Sequence, residues 1–223
     1  MIITAVGPTS ATDPVAGEVE VAQFVQGNGG DTSTAAAVTI KAYDAITTPS
    51  LTASAGSVAL AAGGNIAIPT LTALDNINSA AGGTTTLGSA TATNGTMTIT
   101  SGGTISFSTL ISGGAMNVTS TAGDIVGTAA TVGNASAPPA GAAFSGVGLE
   151  LASLSATGAS TLTATGPEPA PDQVAGNVII LVAIHSIGGL AINAPTGSIT
   201  APLIAASAGP IGLAAGEDAA VPN

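Results

Sequence analysis

Apolar residues alternate with small polar residues in short runs along most of the chain. Residues 56–71 contain two alternating pairs, each introduced by glycine: Val58 with Leu60, and Ile66 with Ile68. Successive side chains of a β-strand point to opposite faces, so the two members of each pair would share one face. The pattern therefore predicts two short strands whose apolar sides turn toward a common interior.

The two-strand pattern returns at a constant interval. Copies begin near positions 36, 56, 75, 95, 114 and 133, which gives a step of 19 or 20 residues. A unit of this size cannot bury its apolar face alone and must stack on its neighbours. We therefore predict an all-β fold, a parallel β-solenoid of about ten coils of 19–20 residues, forming one continuous domain over residues 1–223.

Glycine introduces most of the predicted strands, and the chain contains 31 glycines. We expect them at the corners of the coils, where a positive φ or a close approach of two backbones is required. A flexible low-complexity linker would have similar glycine and alanine content. Its Val, Ile and Leu residues would not stay in phase over so many copies, so the solenoid is the better interpretation.

Three stretches interrupt the repeat and predict inserted loops. Residues 7–17 and 166–176 are near copies, with Gly, Pro, Ala, Asp, Val, Ala and Gly at identical spacing. The third stretch, residues 134–145, contains two adjacent prolines. Insertions in a solenoid usually form loops along one face, often the binding face. We predict that all three enter at one corner, either as part of a binding surface or as neutral decorations.

The recurrence of one loop after about eight coils suggests a longer parent array. Neither end of the sequence shows the polar cap or amphipathic helix that terminates a solitary solenoid. Unpaired strand edges template further pairing. We therefore expect the chain to continue into neighbouring coils of a longer protein or to stack end to end on copies of itself.

Composition and charge narrow the classes of function. Charged residues make up 6% of the chain, and one basic residue, Lys41, faces twelve acidic ones for a net charge of −11. Nucleic acid and anionic membranes both attract clustered basic residues, so we expect neither as a partner. Disordered chains have low hydrophobicity, whereas 45% of these residues are hydrophobic. The most apolar run, residues 178–184, is too short for a spanning helix, so we expect no membrane insertion.

The sequence offers little catalytic chemistry. His185 is the only histidine, and no Gly-x-Ser-x-Gly motif lies near it to supply the nucleophile of a triad. Lys41 alone cannot provide a basic catalytic cluster. The acidic residues are mostly spread singly, which disfavours the paired carboxylates of glycoside hydrolysis. We predict that the chain is not an enzyme and has no catalytic, cofactor-binding or metal-binding residues.

Two weaker patterns in the sequence are typical of binding sites but also have structural interpretations. Residues 75–78 (Asp-Asn-Ile-Asn) are similar to the opening of a calcium loop, but the glycine and distal glutamate of an EF-hand are missing. We interpret them as solvated corner residues. Threonines alternate over residues 96–100 and 84–86, as on a flat ice-binding face. They do not continue as a regular ladder over many coils, so we do not predict ice binding.

The repeated Gly-x-h-x-h unit, in which h is apolar, resembles the filamentous haemagglutinin family of bacterial exoproteins. The matching stretches are residues 56–71, 95–110 and 190–203. These proteins are large adhesins secreted by two-partner or autotransporter routes. The resemblance implies a right-handed parallel β-helix on the outside of a Gram-negative cell, and it implies that this segment belongs to the shaft. The secretion-signal domain of the family has no matching segment here.

Three hypotheses of function follow. The first is a structural or adhesive shaft segment of an extracellular or cell-surface adhesin, without catalytic activity. Its ligand would be a host surface or a matrix polysaccharide. The alternative is a self-assembling extracellular fibre or sheath subunit that stacks end to end through uncapped coils. The third is a polysaccharide-active β-helix, which would need a groove containing several carboxylates.

Overall fold

The alternation of apolar and small polar residues produces short strands along the chain. The computed structural model describes residues 2–5, 19–20, 25–28, 36–134, 138–166, 174 and 176–221. Within these ranges the regular elements are β-strands. None of the described residues forms a helix of the length and apolarity needed to cross a bilayer.

The strands are two to nine residues long. In chain order they are β1 (Ile2–Ala5), β2 (Val19–Glu20), β3 (Val25–Asn28), β4 (Ala36–Ala42), β5 (Ile46–Thr47), β6 (Ser50–Ala55), β7 (Ser57–Ala62), β8 (Ile66–Ala73), β9 (Ile77–Ala81), β10 (Thr85–Ala92), β11 (Met97–Ser101), β12 (Ile105–Ser112), β13 (Met116–Ser120), β14 (Ile125–Val132), β15 (Ala142–Gly146), β16 (Leu149–Ala156), β17 (Ser160–Ala164), β18 (Val178–Ser186), β19 (Leu190–Ala194), β20 (Ile199–Thr200), β21 (Ile204–Ala206), β22 (Ile211–Ala215) and β23 (Ala219–Ala220).

The strands form two parallel sheets that run the length of the described stack. The first sheet has the order β1-β4-β7-β9-β11-β13-β15-β17-β19-β22. The second sheet has the order β2-β5-β8-β10-β12-β14-β16-β18-β20-β23, with β3, β6 and β21 pairing beside it. We call one passage through both sheets a coil. The chain makes about nine such turns, and this parallel β-solenoid confirms the predicted fold class.

The strand register reproduces the predicted interval. Val58 lies beside Ile77, and Ile77 lies beside Met97, so equivalent residues of these coils are 19 or 20 positions apart. The separation is larger where residues are inserted, as between Ser160 and Leu190. The first sheet shows no register shift from β7 to β22. Strands alternate between buried and exposed side chains, as in Met97–Ser101. The buried apolar residues form one continuous core that runs along the axis of the stack.

Glycine is required at one corner because successive backbones nearly touch there. A Cβ atom added to Gly82 would lie 2.0 Å from the carbonyl oxygen of Gly63, and one added to Gly102 would lie 2.0 Å from that of Gly82. Neither glycine has a positive φ. Close approach is therefore the reason for these two glycines. The other predicted reason, a positive φ, applies to Gly56 and Gly133, whose φ values are 99° and 82°.

The two near-copy loops connect the same sheets in the same direction. Residues 7–17 lie outside the described residues, but in the sequence they separate β1 in the first sheet from β2 in the second. Residues 166–176 separate β17 from β18 in the same way. The sequence predicts that the loop recurs after about eight coils. In the first sheet, which has one strand per coil, β17 lies only seven strands beyond β1. The prediction was too high because inserted residues lengthen some of the intervening coils.

The third predicted loop differs from the other two. Ala142–Gly146 is a strand of the first sheet, so the loop predicted at 134–145 ends earlier, before Ala142. The remaining connection leads from β14 in the second sheet to β15 in the first, which is the opposite corner of the coil. The one-corner prediction is therefore wrong for this loop. Ala142 and Phe144 are buried interior residues, but an alternation that begins with alanine is hard to distinguish from a small-residue loop.

Candidate functional site

His185, which the sequence does not predict to be catalytic, lies on the exposed outer surface near the end of β18. Its Nε2 atom is 3.0 Å from Oγ of Ser207 in the next coil. Within the described residues, no hydrogen bond orients its other ring nitrogen. A serine nucleophile also needs an oriented base and an oxyanion site. The described chain therefore contains a Ser–His pair but not an assembled triad. Sequence reasoning missed Ser207 because only the coil stacking brings it close.

The carboxylates of the described residues do not converge. No group of three or more His, Cys, Asp or Glu side chains that could hold a metal occurs within the ranges described above. Asp75 and Asn76, from the calcium-like pattern, instead link coils. The Asp75 backbone N–H donates to the carbonyl of Gly56. Oδ1 of Asn76 accepts hydrogen bonds from the backbone N–H of Thr96, at 2.8 Å, and from its hydroxyl, at 3.0 Å.

The outer face of the first sheet carries small, mostly uncharged side chains. Two outward positions per strand form two columns along the stack. From β4 to β19 these columns contain Thr39, Ala59, Asn78, Thr98, Asn117, Ala143, Thr161 and Ala191 in one, and Lys41, Ala61, Ala80, Thr100, Thr119, Ser145, Thr163 and Asn193 in the other. The absence of a continuous threonine ladder, expected from the sequence, is confirmed for these strands.

An apolar patch lies on the outer side of the second sheet near β18. We define the β18 patch as Leu181, Val182 and Leu203, which are 55%, 62% and 57% exposed. The register between β16 and β18 shifts after Leu151, so β18 has one more residue than its neighbour at this point. Such a bulge re-aims side chains locally. The bulge accounts for two adjacent apolar residues facing solvent, a feature that the sequence pattern did not predict.

The last described coil leaves interior positions uncovered. Ile211 and Leu213 continue the inward columns of Leu190 and Ile192. They are 46% and 39% exposed, whereas Leu190 and Ile192 are buried. The edge of β22 that faces away from β19 pairs with no other described strand. An apolar end with an unpaired strand edge favours addition of a further strand.

Comparisons with known proteins give no family assignment. No protein-family model matches the chain, and neither a curated protein nor a solved structure matches it. The resemblance to haemagglutinin-like adhesins therefore stays a prediction.

Proposed function

We propose that the chain is a shaft segment of a secreted or surface-displayed adhesin and carries out no catalysis. The observation that supports this proposal best is the pair of parallel sheets continuing through about nine turns around one apolar core. At about 4.8 Å per turn, the stack is roughly 43 Å long. A rod of this kind holds its ends at a fixed separation, which is the mechanical requirement of a shaft.

The outer surface is consistent with a shaft rather than a reaction centre. The outward columns of the first sheet contain small hydroxyl, amide and methyl groups, and the described carboxylates are dispersed. A small-residue face whose columns contain Lys41 as their one charged side chain can lie beside other extracellular molecules without a strong electrostatic preference. This distribution supports display or spacing better than turnover of a substrate.

The near-copy loops at 7–17 and 166–176 are the proposed adhesive elements. Their flanking strands place both connections at the same corner of the stack, seven strands apart, or roughly 34 Å along the rod. Two equal elements on one side could engage a repetitive ligand together, which raises the apparent affinity through effective concentration. We propose a host surface or matrix polysaccharide as that ligand.

Loop replacement tests the adhesive part of the proposal. Each loop would be replaced by Asn-Gly, singly and together, and binding of the purified chain to immobilised matrix polysaccharide would be measured. We expect a moderate loss from either replacement and a larger loss from both. If the unaltered chain does not bind, the adhesive role is refuted. Short rods in negative-stain images would still support the shaft role. The adhesive role and the shaft role can therefore be refuted independently.

A self-assembling fibre subunit is the second candidate, and the uncovered interior residues of β22 favour it. In this case a second copy would cover Ile211 and Leu213. Sedimentation velocity over a range of concentrations tests the idea, with Leu213→Asp as the variant and Ala214→Asp as the control on the outward side of the same strand. We expect concentration-dependent elongation that only Leu213→Asp abolishes. A chain that stays monomeric at every concentration would exclude the fibre.

A further inference from the structure

The long strands of the second sheet change phase at their middle. In β8, β10, β12, β14 and β16 two adjacent residues are not buried, such as Pro69 and Thr70 in β8. Side chains of a straight strand alternate between its faces, so two outward neighbours require a bend between the halves. In the preceding coil the halves are separate strands, β5 and β6. The second halves, together with β6, therefore form a third face of the solenoid.

The outward residues of this third face form two columns along the stack. The register from β6 through the second halves of the strands to β16 contains no shift. All but two members of the columns have a hydroxyl group, the exceptions being Ala129 and Ile111. We call the two columns the hydroxyl face. They contain Ser50, Thr70, Ser89, Thr109, Ala129 and Ser153 in one, and Thr52, Thr72, Thr91, Ile111, Thr131 and Ser155 in the other.

The hydroxyl face is a regular array in two directions. Neighbouring strands are about 4.8 Å apart, and alternate residues of one strand are about 6.6 Å apart. Six strands contribute, so the array is roughly 24 Å long. Register shifts lie just beyond both ends, between β3 and β6 and between β16 and β18. The hydroxyl face is therefore the stretch of this surface over which the two spacings stay constant.

The threonine hydroxyls of this face are directed to solvent. Every residue of the two columns is half-buried or exposed. In the described part of the chain no protein group hydrogen-bonds to these threonine hydroxyls, whereas Oγ of Ser153 donates to the carbonyl of Thr128 at 3.4 Å. Neither column contains a charged side chain. Water is therefore the hydrogen-bonding partner of the array, and no fixed charge on this face reorients it.

The other outward columns are less regular. Thr86 lies in the first half of β10, and its column continues through Val126 to the carboxylate of Glu150. Thr98, in the first sheet, has Asn78 and Asn117 as its neighbours, and the column beside it contains Lys41. The threonines at 84–86 and 96–100, which the sequence analysis considered, therefore do not belong to the hydroxyl face. Only the stacking of the coils brings together the residues that do.

We propose that the hydroxyl face binds ice. Oxygen atoms at the surface of hexagonal ice repeat in two directions at spacings of similar size, so successive hydroxyls meet equivalent water molecules. The threonine methyl groups restrict the orientations of the water between them, which favours an ordered layer. Crystalline cellulose also presents regular hydroxyls, but sugar rings usually pack on aromatic side chains, and the two columns contain none. This activity does not depend on the shaft role or on the adhesive loops.

Thermal hysteresis of the purified chain, the gap between the melting and freezing points of a seeded ice crystal, tests this proposal. We expect a gap that grows with protein concentration, and faceted crystals within it. Thr91→Lys places a long charged side chain at the centre of the array and should remove most of the gap. Thr98→Lys is the matched control, since Thr98 is also half-buried at the middle of a parallel strand but lies on the first sheet. It should leave the gap unchanged.

Several outcomes would overturn the proposal. One is a gap no larger than that of serum albumin at the same mass concentration, and another is an equal loss in Thr91→Lys and Thr98→Lys. Circular dichroism shows whether both variants fold, and Thr72→Lys, one coil away, should repeat the effect of Thr91→Lys. Cosedimentation with microcrystalline cellulose in the absence of hysteresis would assign the face to a polysaccharide instead. Rod shape and adhesion are measured separately, so failure of the shaft proposal is a different result.

Discussion

Substitution of one corner glycine tests how closely the coils are stacked. In Gly102→Ala the new Cβ atom would lie 2.0 Å from the carbonyl oxygen of Gly82 and 2.9 Å from its carbonyl carbon. Both are backbone atoms, and the Gly102 N–H is itself bonded to the carbonyl of Ala81 at 2.9 Å. The two corners must therefore separate by about 1 Å, which strains the hydrogen bonds around them.

The magnitude follows from the cost of overpacking. Forcing an extra methyl group into a packed site costs about 1 to 3 kcal/mol and sometimes more. Alanine also lowers the conformational entropy of the unfolded chain relative to glycine. Where the native backbone conformation suits alanine, this effect stabilises the folded state by only about 0.4 to 1 kcal/mol. Because the three nearest atoms are all backbone atoms of Gly82, we expect a net loss of about 2 kcal/mol in the free energy of unfolding.

The neighbouring glycine is a matched control. A Cβ atom on Gly103 would lie 3.3 Å from its nearest neighbour, and one on Gly212 would meet nothing within 4 Å. We expect a loss below about 1 kcal/mol for Gly103→Ala and no loss for Gly212→Ala. Urea denaturation followed by far-ultraviolet circular dichroism is the suitable assay, since the chain has no tryptophan. Equal midpoints for Gly102→Ala and Gly103→Ala would refute the proposed close stacking.

Three further substitutions can be measured by the same denaturation assay. Thr85 is fully buried, and its hydroxyl has no hydrogen-bond partner in the part of the chain that the structure describes. Thr85→Val should therefore stabilise the fold by about 1 to 3 kcal/mol. No gain over the exposed control Thr86→Val would contradict this. A Cβ atom on Gly127 would lie 2.1 Å from Cζ of Phe107. Gly127→Ala should therefore cost about 1 to 3 kcal/mol, and adding Phe107→Leu should recover part of that loss; strictly additive effects would argue against the contact. Asn76→Ala removes the acceptor for two hydrogen bonds from the next coil and should cost about 1 kcal/mol, whereas an unchanged midpoint would mean that water replaces the amide.

Branched apolar residues made the fold predictable. Val58, Leu60, Ile66 and Ile68 alternate with small residues, and the structure buries all four. The strand period of two therefore identified the inward face directly. Alanine and glycine do not distinguish inside from outside, and this is why the sequence predicts a loop where the strand that contains Phe144 lies.

Surface features were less predictable because they depend on stacking. The proximity of His185 and Ser207 arises from alignment of β18 with β21 and the turn after it. The β18 patch depends on a one-residue bulge, which local alternation does not reveal. The number of coils between the near-copy loops also does not follow from the sequence, since it depends on how many residues are inserted at each corner.

The constant register has a consequence for the length of the rod. Val58 pairs with Ile77, and Ile77 pairs with Met97. Deleting residues 77–96 would therefore bring Met97 onto Val58 and leave the inward columns in phase. Whole coils are in this sense interchangeable modules, and adding or excising one would change the reach of the molecule by about 4.8 Å. The length of the rod can thus change in fixed increments, whichever loops lie at the corners of the coils.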